Sequence, residues 1–166
     1  KSKIPTIALA HGFCIGGATS LVSACDIRLA TKDAKFSIGE TKLGLVADVG
    51  VIQRMPKIVS SGDMNELALT GRIFDGQHAE KIRFVTKTYD NSDDLFDAGE
   101  TLANEIASNS KRIVQATKQA LEKSSNLTVD QGLEYAKLWS TSFLVSEDLR
   151  EGVMAFLEKR EPKFNE

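Results

Sequence analysis

Between residues 4 and 30 the chain passes from a short apolar run through a glycine turn into a small-residue segment, then out into a second apolar run. Residues 4–10 are β-compatible and end at His11-Gly12. Gly16-Gly17 opens the segment 18–25, where Leu21, Val22 and Cys25 recur at helical spacing. Residues 26–30 read as a second strand and 35–38 as a third. Strand, glycine turn, helix, strand is a βαβ-like unit, and strands joined by such a crossover run parallel. The class expected is therefore α/β, with helices packed on a parallel sheet.

Downstream the pattern turns helical. A helical stretch at 49–54 is expected to break at Pro56, which has no N–H to give a helix interior. Residues 63–69 form a helix stopped by Gly71, 75–82 a short helix, and 84–88 a strand. Amphipathic helices follow through Leu95 to Ala107 and through Ile113 to Leu121. Thr128 with Gln131 makes a capping-box pattern, and Ser146 caps a last helix that ends near Lys159-Arg160, before Pro162. Two regions follow: a βα part over 1–90 and a helical part over 91–166. The apolar residues of the helical part, Trp139, Phe143, Leu144, Met154, Phe156 and Leu157, serve either intrachain packing or an oligomer interface.

Composition excludes several classes. The 166 residues suit one domain with a helical annex, and 42% hydrophobic with 27% charged residues suits a packed core. A net charge of -2 gives no footprint for nucleic acid, and no apolar run approaches the ~18 residues of a membrane span. Two cysteines, Cys14 and Cys25, make no disulfide framework and suit a reducing compartment as small buried fillers. No metal-ligand cluster is read. His11 is expected to be structural in its turn, and His78 to lie on the surface. The chain opens on Lys1 almost at a strand and is expected to continue an upstream segment. Phe164-Asn165-Glu166 is not a Ser-Lys-Leu-type peroxisomal address.

Three positions carry possible chemistry. At Gly16-Gly17 a strand gives way to a helix, whose first N–H groups are unpaired and whose dipole adds partial positive charge. Such a turn holds an oxyanion or is merely structural. Glu40 and Asp48 lie in a run of small and apolar residues, 36–59, eight apart with Gly44 between them. They either face one cavity and exchange protons, or serve as a loop carboxylate and as the N-cap of the helix at Val49.

Together these segments resemble the crotonase superfamily of enoyl-CoA hydratases and isomerases. The resemblance rests on HGFCIGGATSLVSACDIR, FSIGETKLGLVADVGVIQRMPKIV, NELALTGRIFDGQHAEKI and SEDLREGVMAFLEKREPKF, in family order and over nearly the whole chain. GETKLGLVADVG, residues 39–50, is most similar to the dienoyl-CoA isomerase branch, which carries a carboxylate where Asp48 stands.

The resemblance implies a ββα spiral core, here partial, followed by the helical region. It implies an acyl-CoA double-bond isomerase of fatty acid β-oxidation, converting 3,5-dienoyl-CoA to 2,4-dienoyl-CoA. Gly17 would supply half of an oxyanion hole, Glu40 and Asp48 would be the two proton-transferring carboxylates, and Gly16 and Ser20 would contact substrate. Coenzyme A enters as part of the substrate, with no separate cofactor. Family members form trimers or hexamers, so a homo-oligomer is expected, in a mitochondrial or peroxisomal matrix or the cytoplasm. Lys159 and Arg160 either end a helix in solvent or meet CoA phosphates. Three positions depart from the family. Ser20 replaces a carboxylate, Ala18 a third glycine, and Arg83 a glycine after a helix, where a left-handed residue with a side chain costs about 1 kcal/mol. Two other readings stay open: a 3-enoyl to 2-enoyl-CoA isomerase using Glu40 alone, and a catalytically silent family subunit.

Overall fold

The computed structural model describes residues 2–164. Lys1 and the pair Asn165-Glu166, on which the readings of the two chain ends rest, lie outside the described residues. The fold divides into two compact units, one of residues Thr6–Thr101 and one of the remaining described residues.

The first unit is built from paired strands. β1 (Ile7–Ala10) and β2 (Phe13–Ile15) precede α1 (Gly17–Ala24), and β3 (Ile27–Thr31) with β4 (Lys35–Ser37) repeats the pair. The leading strands join one sheet, with β1 parallel to β3 in the register Ile7↔Ile27 to Ala10↔Ala30. The trailing strands join another, with β2 parallel to β4 from Phe13↔Lys35 to Ile15↔Ser37. Each ββα turn thus advances two sheets at once, as a ββα spiral requires. β5 (Phe74–Asp75) adds antiparallel to β4, and β6 (Lys87–Tyr89) parallel to β3. The helices between are α2 (Val51–Arg54), α3 (Ser61–Thr70) and α4 (Gly76–Lys81).

The core of this unit holds Phe36, Phe74 and Phe84, whose ring centroids lie 5.4–6.2 Å apart. Each is fully buried or nearly so, and burial of aromatic side chains is a large favourable contribution. Local chemistry sets the boundaries. Ser60 accepts the Asp63 N–H at the start of α3, and Gly71 ends it in the left-handed conformation. α2 stops at Arg54, and Pro56 stands in a following 3-10 turn, Met55–Lys57. The strand expected at 84–88 sits later: Phe84 and Val85 are core residues ahead of the ladder, and pairing begins at Lys87. His78, expected on the surface, is half-buried with its ring edge against Phe74, and its N–H donates to Asp75, the cap of α4. Of the cysteines, Cys14 is buried and Cys25 half-buried, both as free thiols.

α5 (Ser92–Ala107) leads from the first unit into the second, which contains α6 (Lys111–Ser124), α7 (Val129–Phe143) and α8 (Glu147–Glu158). The Thr128–Gln131 capping box and the Ser146 cap form as read. Trp139 and Phe143 stack with centroids 5.9 Å apart, and Arg112 of α6 lies over the Phe143 ring. An open apolar cleft of 580 Å³ is lined by Ile113, Phe143, Leu149, Val153, Phe156 and Phe164. Leu138, Leu144, Val145, Phe156 and Leu157 are exposed. No described helix is long and apolar enough to cross a membrane.

Candidate active site

The candidate site lies within the first unit, at the head of α1. Gly16 is its N-cap residue, at φ 58° and ψ −118°, a conformation that L side chains rarely adopt. Gly16 donates its N–H to Ser37 O at 2.9 Å. Thr19, fully buried one turn into α1, places its hydroxyl against Cys14 O on β2 and Ser37 O on β4. These bonds fasten the helix start onto the β2–β4 pair. No atom lies within 4 Å of where a β-carbon on Gly17 would stand, and the Gly17 N–H finds no acceptor among the described residues. An unpaired donor at a helix start is what an incoming oxyanion needs.

Glu40 follows Ser37 by three residues, on a 3-10 turn at Gly39–Leu43. Thr41 bonds this turn to Ala68 O at 2.7 Å, and Ser37 Oγ donates to Gly71 O at 3.0 Å. The turn is therefore held at both ends. It sets the half-buried Glu40 carboxyl beside Gly16, with Oε1 3.4 Å from where a Gly16 β-carbon would stand. Glu40 Oε2 is buried and has no hydrogen-bond partner among the described residues.

Asp48 stands on the exposed stretch between Gly44 and Gly50. Of the roles open to Asp48, that of N-cap does not form. α2 starts at Val51, two residues later than read, and its N-cap is Gly50 in the left-handed conformation. Arg54 causes the delay by covering Gly50 and donating to Val49 O at 3.0 Å, which pins the loop end from outside. Asp48 has no hydrogen bond or ion pair among the described residues, so its carboxylate holds no structural position. Leu43, Leu45, Val46 and Val49 around it are exposed.

The structure thus brings Gly16, Gly17 and Glu40 to one helix head and leaves Asp48 on the exposed loop that follows Glu40. Ser20, read as a substrate contact, is only 1% exposed, and its Oγ has no hydrogen-bond partner among the described residues. Its N–H bonds Gly16 O at 3.0 Å. Cys14 packs beneath this turn, where burial pushes its thiol up from the usual range. His11 is exposed, with its ring edge against Phe96. Arg160 is held by Glu151 and Glu158 of α8. Thr19 is the residue that sequence reading passed over. Its only signal was a β-branched hydroxyl one turn after a glycine pair.

The family model "Enoyl-CoA hydratase/isomerase" matches residues 1–166, and the chain belongs to that family, the crotonase superfamily. Among characterised relatives, the mitochondrial Delta(3,5)-Delta(2,4)-dienoyl-CoA isomerase of Dictyostelium discoideum is 49% identical over 99% of this chain and 56% of its own length. The peroxisomal enzyme of the same name from Arabidopsis thaliana is 43% identical, over 99% of this chain and 59% of its own. The chain therefore spans little more than half the length of these relatives. Among solved structures, an enoyl-CoA hydratase from Mycobacterium marinum matches with a TM-score of 0.92 at 32% identity, covering 98% of this chain and 64% of that one. A probable enoyl-CoA hydratase/isomerase from Mycobacterium abscessus matches at 0.91 and 36%, with coverage of 98% and 64%. The ββα spiral followed by helices is thus the crotonase fold, and the resemblance to the dienoyl-CoA isomerase branch holds.

Proposed function

We propose that the chain is the catalytic part of an acyl-CoA double-bond isomerase acting on 3,5-dienoyl-CoA to give the 2,4-dienoyl product, in fatty acid β-oxidation. The observation that carries this reading is the Glu40 carboxyl set beside Gly16, next to a Gly17 N–H that has no acceptor among the described residues. The thioester oxygen would take that N–H as its charge develops, and one such donor is typically worth ~2.7–4 kcal/mol in the transition state. One carboxylate removes a proton from C2, the negative charge spreads through the diene, and the other carboxylate delivers a proton at C6. Asp48, on the exposed loop that follows Glu40, is assigned as the second carboxylate on the likeness of residues 39–50 to the dienoyl-CoA isomerase branch. The exposed Leu43, Leu45, Val46 and Val49 suit an acyl chain. The names of the Dictyostelium and Arabidopsis relatives support the substrate class and a mitochondrial or peroxisomal setting. Coenzyme A enters as part of the substrate, and the scheme calls on no metal or other cofactor. The exposed apolar residues of α7 and α8 suit a homo-oligomer, a trimer or hexamer, which light scattering after size-exclusion chromatography tests.

The deciding experiment follows the ultraviolet absorbance of the conjugated 2,4-dienoyl thioester when the chain is given 3,5-dienoyl-CoA. Turnover is expected, and both Glu40→Gln and Asp48→Asn should reduce it by at least roughly 100-fold. The exposure of Asp48 favours one second reading, a 3-enoyl to 2-enoyl-CoA isomerase using Glu40 alone. That enzyme keeps its activity in Asp48→Asn and loses it in Glu40→Gln. Inertness on both substrates of the full-length protein that contains this chain would instead mark a silent family subunit.

A further inference from the structure

The Asp48 carboxylate has no bond of its own among the described residues, so it stands where the backbone of the 44–50 loop puts it. Both ends of that loop are left-handed glycines, Gly44 at φ 74° and Gly50 at φ 95°. Backbone holds the first end: the Gly44 N–H donates to Thr41 O at 3.2 Å and the Leu45 N–H to Glu40 O at 3.0 Å. Ala47, buried in the core of the first unit, anchors the middle. A side chain holds the second end. Arg54 bonds through its N–H to Gly50 O at 3.1 Å, and a helical side chain leans back over the turn before it. Its Nη1 donates to Val49 O at 3.0 Å. The guanidinium also lies against Gly50, with Nη1, Cζ and Nη2 at 2.5, 2.9 and 3.1 Å from where a β-carbon would stand. Only glycine leaves room for that contact. No other side chain donates to residues 45–50 among the described residues.

We propose that Arg54 is a positioning residue for Asp48, acting through the backbone of Val49 and Gly50. Asp48 then stands between two anchors, the buried Ala47 behind it and the Val49 carbonyl held by the guanidinium ahead of it. Because Arg54 takes the carbonyl and leaves the carboxylate unpaired, the loop is fixed while the acid stays free to give or take a proton. The planar fork suits this task, since it covers the bare α-carbon and reaches the adjoining carbonyl at once, which a single ammonium does not. The proton-transferring role of Asp48 rests on the function proposed above, but the tether itself does not.

The test uses the full-length protein that contains this chain. Amide ¹⁵N relaxation at Asp48, Val49 and Gly50 is expected to give order parameters of about 0.85 in the unmodified protein and below about 0.6 in Arg54→Met. Values already low in the unmodified protein, or unchanged in the variant, overturn the proposal. With 3,5-dienoyl-CoA, Arg54→Met is expected to lower kcat at least roughly 10-fold with KM held within about twofold, and to cost nothing further beside Asp48→Asn. Equal fold-losses in both backgrounds, the mark of an arginine that merely stabilises, overturn the positioning role, as does a loss carried by KM. Should Arg54→Met not fold, the unmodified protein decides. Separate Nη1 and Nη2 resonances for Arg54, the sign of a guanidinium held against rotation, are expected, and one averaged signal refutes the tether. If the unmodified protein leaves 3,5-dienoyl-CoA unchanged, the proposed function falls, and the relaxation result alone decides whether Arg54 holds the loop.

Discussion

Glu40 and Gly16 meet at the head of α1, with the carboxyl Oε1 3.4 Å from the point a β-carbon on Gly16 would occupy. Backbone fixes the encounter, because Ser37 O accepts the Gly16 N–H only three residues before Glu40. The helix start and the carboxylate are therefore one rigid piece. Pre-set geometry of this kind is what a proton transfer to or from a bound substrate requires.

The two adjacent glycines should respond differently to alanine. Gly16→Ala puts a side chain at φ 58°, ψ −118° and in contact with the Glu40 carboxyl, so a loss of about 1–2 kcal/mol is expected in urea unfolding. Gly17→Ala enters open space at a helical residue, so stability should hold or rise slightly. Its methyl group would instead fill open space beside the unpaired N–H and crowd an incoming thioester, so isomerase turnover should fall roughly 10²-fold. Equal effects of both variants on stability would refute this division.

Much of this arrangement was readable because its causes are local. The Thr128–Gln131 box, the Ser146 cap and the Gly71 stop each depend on a few neighbouring residues, and each forms as read. β2 and β5 went unread because three and two residues are too short for any periodicity to show. The cap open to Asp48 does not form: the helix starts at Val51 behind a left-handed Gly50, over which Arg54 lies, a contact that spacing does not encode. At the site, glycine spacing and family motif pointed to Gly17 and Glu40. The burial of Ser20 depends on packing between α1 and the strands, which spacing does not encode.

Arg28 holds two distant carbonyls. Its Nε–H donates to Phe84 O at 2.6 Å and its Nη1 to Cys25 O at 2.7 Å, tying the end of α1 to the chain ahead of β6. Burial pulls its pKa below the ordinary guanidinium value. Arg28→Met keeps most of the packing and leaves both carbonyls unpaired, an expected loss of about 2 kcal/mol in urea unfolding. Arg28→Lys should recover less than half, since one ammonium lacks the fork that spans two acceptors.

Arg83 is the residue with a side chain at φ 66°, bonding through its N–H to Glu80 O at the end of α4. Its side chain is exposed, so a change there disturbs little packing. Arg83→Gly should raise stability by about 1 kcal/mol, seen as a higher thermal midpoint with unchanged circular dichroism. A lower midpoint would show that the guanidinium contributes more than the backbone strain removes.

The residues after α8 fold back onto it through Glu151. Arg160 meets both carboxylate oxygens, at 2.6 and 3.0 Å, and the Lys163 N–H donates to Oε1 at 2.7 Å. The Arg160 hydrogen bonds, with that of Lys163 second, pull the Glu151 pKa down to about 2. A carboxylate with a depressed folded value contributes its full stabilisation above its ordinary value and loses it as the pH falls through the folded one. The clasp should therefore hold at neutral pH, weaken as the pH falls below the ordinary glutamate value of ~4.3, and open by about 2. Protection of the Lys163 amide, its exchange measured against that of a free amide at the same pH, should hold through the neutral range and fall over that acid window. Glu151→Gln should lower that protection at every pH, because a neutral amide accepts from guanidinium and backbone more weakly. Exchange at Lys163 that is already fast at neutral pH in the unmodified chain would show that Glu151 does not hold this segment.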